Sequence, residues 1–237
     1  MKIDKAELSQ KIKKLKSIVP VKTYKTEIQG ILVQNGYMTA SNTELTVKAK
    51  TEEAEKESFV IPLKAFDLIN KLPDGEVEIT AGQNNGAYII SIRAAKIKNK
   101  YQVTDPALFP LPQTDFDSGE EFLIDSELLL TSMKRVSYAV AANAGNPILK
   151  ALYLHAEDGM LNFVGSDSHV LAWDKVAFDG NFKLLIPKAA IEKLTAIGIS
   201  GKVCIRHSKA SAVFVSGGYE IHTRIMEEKS GACMKGL

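Results

Sequence analysis

The sequence predicts an α+β protein built from two similar domains, each with two helices packed on antiparallel sheets. Short runs of alternating apolar residues indicate strands along the whole chain, whereas four segments carry apolar residues at helical spacing. An internal repeat indicates the two domains, because one offset of 125 residues relates Ser41 to Ser166 and also relates Ile61 to Ile186. A length of 237 residues accommodates two domains of ordinary size.

The repeat is clearest in the segment Met160–Trp173, MLNFVGSDSHVLAW, where a small polar turn separates two apolar runs. This pattern is typical of a β-hairpin. A similar segment, YMTASNTELTV, extends from Tyr37 to Val47 and places Ser41-Asn42-Thr43 where the later copy has Ser166-Asp167-Ser168. Because both copies share turn-forming residues, the sequence predicts a structural role for this hairpin.

Four helices are predicted from apolar stripes at helical spacing. The predicted ranges are 8–19, about 64–71, 127–140 and about 188–197, with Pro20 ending the first helix and Ser126 as the N-cap of the third. The stripes comprise Leu8, Ile12, Leu15 and Val19; Phe66 (or Ala65), Ile69 and Leu72; Leu129, Met133, Val136 and Val140; and Ile191, Leu194 and Ile197.

Strands fill most of the remaining chain, and turn residues such as Asn35-Gly36 separate them. The predicted strands are 28–34, 37–42, 45–51, 58–62, 76–81, 87–93 and 96–103, then 121–124, 148–155, 160–165, 169–176, 182–186, 202–207, 211–216 and 219–226. The predicted domains span 1–116 and 119–226, with a proline-rich connector at about 105–118 and a tail at 227–237.

The composition is that of a globular protein, with 45% hydrophobic and 24% charged residues. A net charge of only +2 means that any basic surface must come from local placement. The sequence has no apolar run of the ~18 residues that a membrane span requires, and no secretory signal is expected. Cys204 and Cys233 form neither a disulfide framework nor a zinc site. We therefore expect a cytoplasmic protein without membrane partner, metal or cofactor.

The segment Ser166–His169 contains the residue types of a hydrolase triad. Triad members converge from separate elements, however, and four consecutive turn residues cannot easily do so. The earlier copy also lacks the histidine. The other histidines, His155, His207 and His222, fall on separate predicted strands without metal-ligand spacing, and the chain has no P-loop or dinucleotide fingerprint. The sequence therefore predicts no enzymatic activity.

Basic residues lie off the apolar stripe on every predicted helix. Each one alone is typical of a solvated face, but four helices on one side of the sheets would form a basic surface suited to the phosphate backbone. No aromatic residue lies among the helix lysines, which disfavours a platform for single strands. The candidate residues are Lys11, Lys14, Lys64, Lys71, Lys134, Arg135, Lys188 and Lys193.

Seven segments resemble, in order, the bacterial DNA polymerase III beta subunit family, the replicative sliding clamps. Val164–Trp173, VGSDSHVLAW, is similar to the signature T-D-G-H-R-L-A in the second domain of that family. The other six segments are Gly30–Gln34, Phe59–Pro62 with Leu72–Gly75, Tyr101–Pro110, Ser132–Arg135, Leu184–Pro187 and Tyr219–Arg224. Together they extend the resemblance over residues 1–226.

The resemblance implies a DNA-clamp fold and a non-catalytic ring around duplex DNA, which a clamp loader places and which tethers a replicative DNA polymerase. It implies that helices line the hole, and it places Lys22 at a DNA-contacting basic position. The family has three such domains in each chain, whereas two are predicted here. Since six domains close the ring, the resemblance implies a homotrimer joined head to tail by exposed edge strands.

The resemblance also implies an apolar cleft beside the hairpin that binds peptides of the polymerase and the loader. The matching positions are Leu149, Ser166, Ser168, His169, Val170 and Leu171. Ser168 replaces a glycine of the family and Val170 replaces an arginine, so we expect a changed peptide preference.

Two other functions fit the same sequence. One is a clamp-like module that does not close, either an adaptor or inhibitor that binds another clamp or a binder of the DNA surface. The remaining one is an unrecognised enzyme at Ser166–His169.

Overall fold

The structure, a computed structural model, describes residues 1–42, 44–112 and 120–226. These residues form two compact units. Unit 1 contains the described residues up to 112 together with 218–220, and unit 2 contains 120–217 and 221–226. The predicted tail at 227–237, the predicted domain ends at 116 and 119, the later part of the connector and Thr43 lie outside the described residues.

Unit 1 packs two helices against two antiparallel sheets. Its elements are β1 (Lys2–Asp4), α1 (Lys5–Lys16), β2 (Gly30–Gln34), β3 (Tyr37–Ser41), β4 (Leu45–Lys50), β5 (Ser58–Pro62), α2 (Leu63–Lys71), β6 (Glu76–Asn84), β7 (Ala87–Ala94) and β8 (Ile97–Val103). The strand orders are β1-β6-β7-β8 and β5-β2-β3-β4. The two helices pack side by side, with α1 against β1 and β3 and α2 against β5.

Unit 2 repeats this arrangement. Its elements are β9 (Phe122–Asp125), α3 (Ser126–Ser137), β10 (Ala151–Glu157), β11 (Met160–Ser166), β12 (Leu171–Ala177), β13 (Phe182–Pro187), α4 (Lys188–Ile197), β14 (Lys202–His207), β15 (Ser211–Ser216) and β16 (Tyr219–Arg224, of which 221–224 belong to this unit). The strand orders are β12-β11-β10-β13 and β16-β15-β14-β9. Helix α3 packs on β10, β11, β12 and α4. The predicted α+β class is confirmed.

The apolar stripes of all four helices are buried as predicted. In α1, for example, Leu8, Ile12 and Leu15 are fully buried, and Phe66 of α2 and Met133 of α3 are equally inaccessible. Burying a side chain of this size stabilises the fold by about 1.5–3 kcal/mol, so these stripes fix the helices on the sheets.

The predicted ends of the first and third helices are wrong. Helix α1 begins at Lys5 because the Asp4 carboxylate caps it, and α3 is capped by Asp125 and not by Ser126. Both helices end three residues earlier than predicted. Val19 and Val140 are buried beyond these ends, so the buried pattern continues where the helix does not.

The strands predicted to begin at residues 28 and 169 begin at Gly30 and Leu171, and two further corrections are larger. The strand predicted at 148–155 begins at Ala151, because Pro147–Lys150 form a 3₁₀ turn capped by Asn146. Strand β1 was not predicted, since three residues are too few to show an alternating pattern. It pairs with β6, where Ile3 lies opposite Val77.

Candidate functional site

The hairpin of β11 and β12 has a four-residue loop closed by one carboxylate. Ser166 pairs with Leu171 at the last rung of the ladder. Within the loop, Asp167 Oδ1 accepts hydrogen bonds from the backbone N–H groups of His169 (2.9 Å) and Val170 (2.8 Å). The Asp167 N–H in turn donates to the Val170 carbonyl at 3.3 Å. The loop is therefore built around the side chain of Asp167.

The corresponding loop of unit 1, in the earlier copy of the repeat, has the same hydrogen bonds. Asn42 Oδ1 accepts from the N–H groups of Glu44 (3.2 Å) and Leu45 (2.9 Å), and the Asn42 N–H donates to the Leu45 carbonyl at 3.0 Å. Each residue lies 125 positions before its counterpart in the later loop. The repeat seen in the sequence is thus a repeated turn, held by an amide oxygen in one unit and a carboxylate oxygen in the other.

Ser168 adopts a left-handed backbone conformation, with φ of +80°. Glycine adopts this conformation without a Cβ penalty, whereas other residues incur about 1 kcal/mol. The departure from the glycine of the clamp signature therefore leaves some strain in the loop. The Ser166 Oγ accepts a hydrogen bond from the Ser168 N–H at 3.2 Å and supports the conformation.

The loop gives a pH prediction. Hydrogen bonds from the N–H groups of Val170 and His169 lower the pKa of Asp167 below its ordinary value. Because the folded pKa is depressed, the contribution of the carboxylate to loop stability is complete above the unfolded pKa and is lost as the pH falls through the folded pKa. An NMR titration should place the carboxyl midpoint below that of an unfolded aspartate.

The Asp167→Asn variant is the matched control, because an asparagine retains the acceptor oxygen, as Asn42 does in the corresponding loop of unit 1. Its Val170 amide resonance should lose the acid transition and otherwise keep the wild-type position. A midpoint of Asp167 at or above the ordinary value would contradict the assigned hydrogen bonds.

Gly165 brings β11 against the end of α3. A Cβ atom at this position would lie 2.7 Å from the Val136 carbonyl oxygen and 3.0 Å from Val140 Cγ2. Only glycine permits this approach, which packs the strand of the hairpin directly on the helix backbone.

Polar contacts join the next strand to the same helix. Asp174 of β12 forms an ion pair with Arg135 of α3, with an Nη1–Oδ2 distance of 3.3 Å. Burial opposes ionisation of Asp174, but hydrogen bonds from the Ser132 hydroxyl, the Lys175 N–H and Arg135 outweigh it and hold the pKa of the carboxyl below its ordinary value. The hairpin is therefore fixed to α3 through both strands.

Three apolar side chains are exposed at and beside the loop. Val170, Leu171 and Trp173 expose 44%, 48% and 57% of their surface. Trp173 Nε1 donates to Asn162 Oδ1 at 3.1 Å, and Lys175 Nζ lies 5.3 Å from the centre of the indole ring. We call Val170, Leu171 and Trp173 the apolar patch. Trp173 was not among the predicted site residues, although its position two residues after Leu171 places it on the same strand face.

Three of the other predicted pocket residues immediately precede this patch in the sequence, and the fourth, Leu149, lies earlier in the chain. Ser166 is half-buried, Ser168 and His169 are exposed, and Leu149 is half-buried in the turn that leads into β10, the neighbour of β11. A polar groove of about 340 Å³ lies elsewhere, on the sheet of β6, β7 and β8 in unit 1. Its lining residues are Glu78, Thr80, Ser91, Arg93, Lys98 and Lys100.

Most of the predicted DNA contacts are accessible. Lys193 is half-buried, and four other lysines are exposed without an ion pair to any described residue: Lys22, Lys64, Lys71 and Lys134. Arg135 keeps 66% of its side chain exposed despite its pair with Asp174. Lys14 lies over the ring of Tyr219, a residue of the same unit, at 4.7 Å.

Lys11 and Lys188 instead serve the protein's own hydrogen bonding. Lys11 Nζ donates to the Lys50 carbonyl (2.7 Å) and pairs with Glu7 at 2.6 Å. Lys188 Nζ donates to the Val140 carbonyl at 2.7 Å. Because these amino groups point into the protein, we omit both lysines from the proposed DNA surface.

Two aromatic residues outside the predicted site are neighbours of basic residues in the sequence. Tyr24 is 91% exposed between Lys22 and Lys25, and Tyr138 is 71% exposed just after Lys134 and Arg135. Their adjacency to basic residues was visible in the sequence, but their exposure was not.

Within the described residues, no cluster of three metal-ligating side chains occurs, and no helix has the length and apolarity of a membrane span. Cys204 is a free thiol. Burial raises its pKa most, and the negative charge of the nearby Glu121 raises it further.

Comparison with known proteins points to one family. Residues 120–205 match the profile of the N-terminal domain of the DNA polymerase III beta subunit. The chain is 27% identical to the beta sliding clamp of Chlamydia pneumoniae over 203 residues, which is 81% of this chain and 54% of that protein. It is also 27% identical to the beta sliding clamp of Bacillus subtilis over 175 residues, 67% of this chain and 45% of that one. The chain thus spans about half the length of the curated relatives it matches.

Solved structures show the same fold. The sliding clamp of Bacillus subtilis superposes with a TM-score of 0.85 at 21% identity, over 96% of this chain and 64% of that one. The beta subunit of Pseudomonas aeruginosa gives a TM-score of 0.86 at 18% identity, over 98% and 66% of the two chains. The profile matched in unit 2 is that of the N-terminal domain, whereas the sequence motifs there resemble the second domain.

Proposed function

Since the chain belongs to the bacterial DNA polymerase III beta sliding clamp family, we propose that it encircles duplex DNA and tethers a replicative polymerase without catalysing a reaction. The observation that carries this proposal is the structure of the helix pairs. Each unit buries the apolar stripes of two adjacent helices and leaves basic side chains of those helices accessible. Such side chains neutralise phosphates independently of base sequence.

The proposed DNA surface comprises the accessible members of the predicted set. They are Lys14, Lys22, Lys64, Lys71, Lys134, Arg135 and Lys193. These residues lie on all four helices and in the connection after α1, and contacts with phosphates carry no sequence information.

The proposed partner site is the apolar patch with the hairpin loop and Leu149. Contiguous exposed apolar side chains mark interaction sites, and Trp is enriched among the residues that dominate binding energy. Peptides of the replicative polymerase and of the clamp loader are the proposed occupants, and Trp173 adds a large anchor to the positions expected from the family.

Ring closure is proposed through β8 and β12. Each is the last strand of its sheet and seven residues long, which makes them the longest edge strands described within a single unit. An unpaired edge offers a row of backbone donors and acceptors to another chain. Pairing β12 of one copy with β8 of the next gives a head-to-tail ring, for which we propose three copies.

A topology experiment tests the proposal. Protein loaded by its clamp loader onto nicked circular DNA should remain bound through a high-salt wash and should dissociate when a restriction enzyme linearises the DNA. A surface binder would instead respond to salt, with a slope of about −0.9 per phosphate contacted, whatever the topology of the DNA. Retention that is unchanged by linearisation would contradict encirclement.

The native mass separates a ring from an adaptor. Sedimentation at micromolar concentration should give three times the chain mass of 25.9 kDa. A monomer under these conditions, together with stable binding to another clamp, would favour the adaptor or inhibitor function.

A further inference from the structure

Tyr24 and Tyr138 are the two most exposed aromatic side chains among the described residues. With 91% and 71% of their surfaces exposed, they contrast with Tyr37 and Tyr219, whose rings lie under Lys48 and Lys14. Neither Tyr24 nor Tyr138 has a ring contact or hydrogen bond of its side chain with any described residue. Both aromatic faces are therefore available to a ligand.

Tyr24 lies in a connection with its own local hydrogen bonds. The Lys25 N–H donates to Thr23 Oγ1 at 3.0 Å, and Gln29 Nε2 donates to the Val21 carbonyl at 3.2 Å. These bonds fold the connection after α1 upon itself. Lys22 and Lys25 lie within two positions of Tyr24 in the sequence, and both are exposed.

The same combination occurs at the end of α3 in unit 2. Tyr138 is the C-cap residue and retains a helical backbone, with φ −65° and ψ −31°. It follows Lys134 by four positions and Arg135 by three, a spacing that places these side chains on one helix face. Each unit thus presents one exposed tyrosine with two exposed basic residues close to it in the sequence, in unit 1 in the connection after α1 and in unit 2 at the end of α3. Tyr24 and Tyr138 are not related by the sequence repeat, so this likeness is not an inherited turn.

An aromatic ring and two cations recognise a nucleotide whose base is unpaired. The ring stacks on the base face, and the cations neutralise the adjoining phosphates. A base pair within a duplex is already stacked on both faces and offers the ring no such contact. A solvated lysine face alone would not require the tyrosine.

We propose that Tyr24 with Lys22 and Lys25, and Tyr138 with Lys134 and Arg135, form two contact sites for single-stranded DNA. The proposal rests on the proposed function as a DNA clamp and extends it to unpaired nucleotides, such as those of a template strand beyond a primer end. It reverses the expectation that the protein lacks aromatic platforms among its basic residues.

Fluorescence anisotropy with a labelled oligothymidylate tests the sites, with the full chain at low salt. The Tyr24→Ala and Tyr138→Ala double variant should bind the oligothymidylate about tenfold or more weakly, since one stacked base contributes about 1–3 kcal/mol, a factor of about 5 to 150. The Tyr24→Phe and Tyr138→Phe double variant retains both rings and should bind as wild type. Affinity for a blunt duplex should be the same for all three proteins.

Wild-type affinity of the double alanine variant for oligothymidylate would overturn the proposal, as would an equal loss in the phenylalanine variant or an equal loss on the duplex. A Lys22→Ala and Lys25→Ala variant should weaken both DNA forms and lower the salt slope on single strands by about 0.7 for each lysine. Tyrosine-dependent oligothymidylate binding without retention on circular duplex would refute the ring and leave these sites standing. Retention on circular duplex without tyrosine-dependent binding of oligothymidylate would refute only the single-strand sites.

Discussion

The Gly165→Ala variant is expected to be destabilised by about 1–3 kcal/mol, the usual cost of overpacking a well-filled interior. The new methyl group would lie 2.7 Å from the Val136 carbonyl oxygen, which belongs to the helix backbone and cannot rotate away. Either β11 or α3 must shift, and the hairpin that carries the apolar patch moves with the strand. Urea unfolding monitored by Trp173 fluorescence measures the change in free energy of unfolding.

Gly145→Ala is the matched control in the same unit. A Cβ atom there meets nothing within 4 Å, and its backbone does not have a positive φ. Alanine at this position should leave stability unchanged within about 1 kcal/mol, because it mainly restricts the unfolded chain. If Gly165→Ala were as stable as Gly145→Ala, the close packing of β11 on α3 would be refuted.

Replacement of Leu171 and Trp173 with alanine is expected to weaken the binding of a peptide from the replicative polymerase by about 30-fold or more. This corresponds to a loss of about 2 kcal/mol, the threshold for an interface hot spot. Both side chains are about half exposed in the free protein, so their removal should not disturb the core. Isothermal titration calorimetry measures the affinity.

Leu128→Ala is the control for this prediction. Leu128 is 50% exposed in α3, against 48% for Leu171, and belongs to the same unit but lies outside the apolar patch. Its replacement should leave peptide affinity unchanged. Wild-type affinity in the double variant, or an equal loss in Leu128→Ala, would place the peptide site elsewhere. A loss only after Leu149→Ala is added would assign the binding to the turn before β10.

The spacing of apolar residues predicted the helices and strands that have one buried face and one exposed face. The stripes of α1 to α4 and the alternation of most strands were read correctly because burial of one face imposes its period on the sequence. The offset of 125 residues even anticipated the matching hydrogen bonds of Asn42 and Asp167. Helix ends were less predictable, since Val19 and Val140 remain buried after the backbone leaves the helix.

The site was less predictable than the fold. Lys11 and Lys14 are alike in sequence, yet Lys11 is directed toward Glu7 and the Lys50 carbonyl while Lys14 lies over an aromatic ring. A long side chain can turn toward the protein or toward solvent, and neighbours distant in sequence decide which occurs. The direction of the Lys188 side chain was equally unpredictable, because its hydrogen-bond acceptor is 48 positions away in the chain.

The amino-acid sequence by itself determined the α+β class, the two helix-and-sheet repeats, the turn at Asp167 and the resemblance to the sliding clamps, since each depends on local spacing or on order along the chain. Only the tertiary structure decided which basic residues are accessible, that Trp173 extends the apolar patch, and that Tyr24 and Tyr138 remain in solvent. The physical reason is that exposure depends on what the rest of the fold places against a side chain. No pattern of neighbouring residues records that.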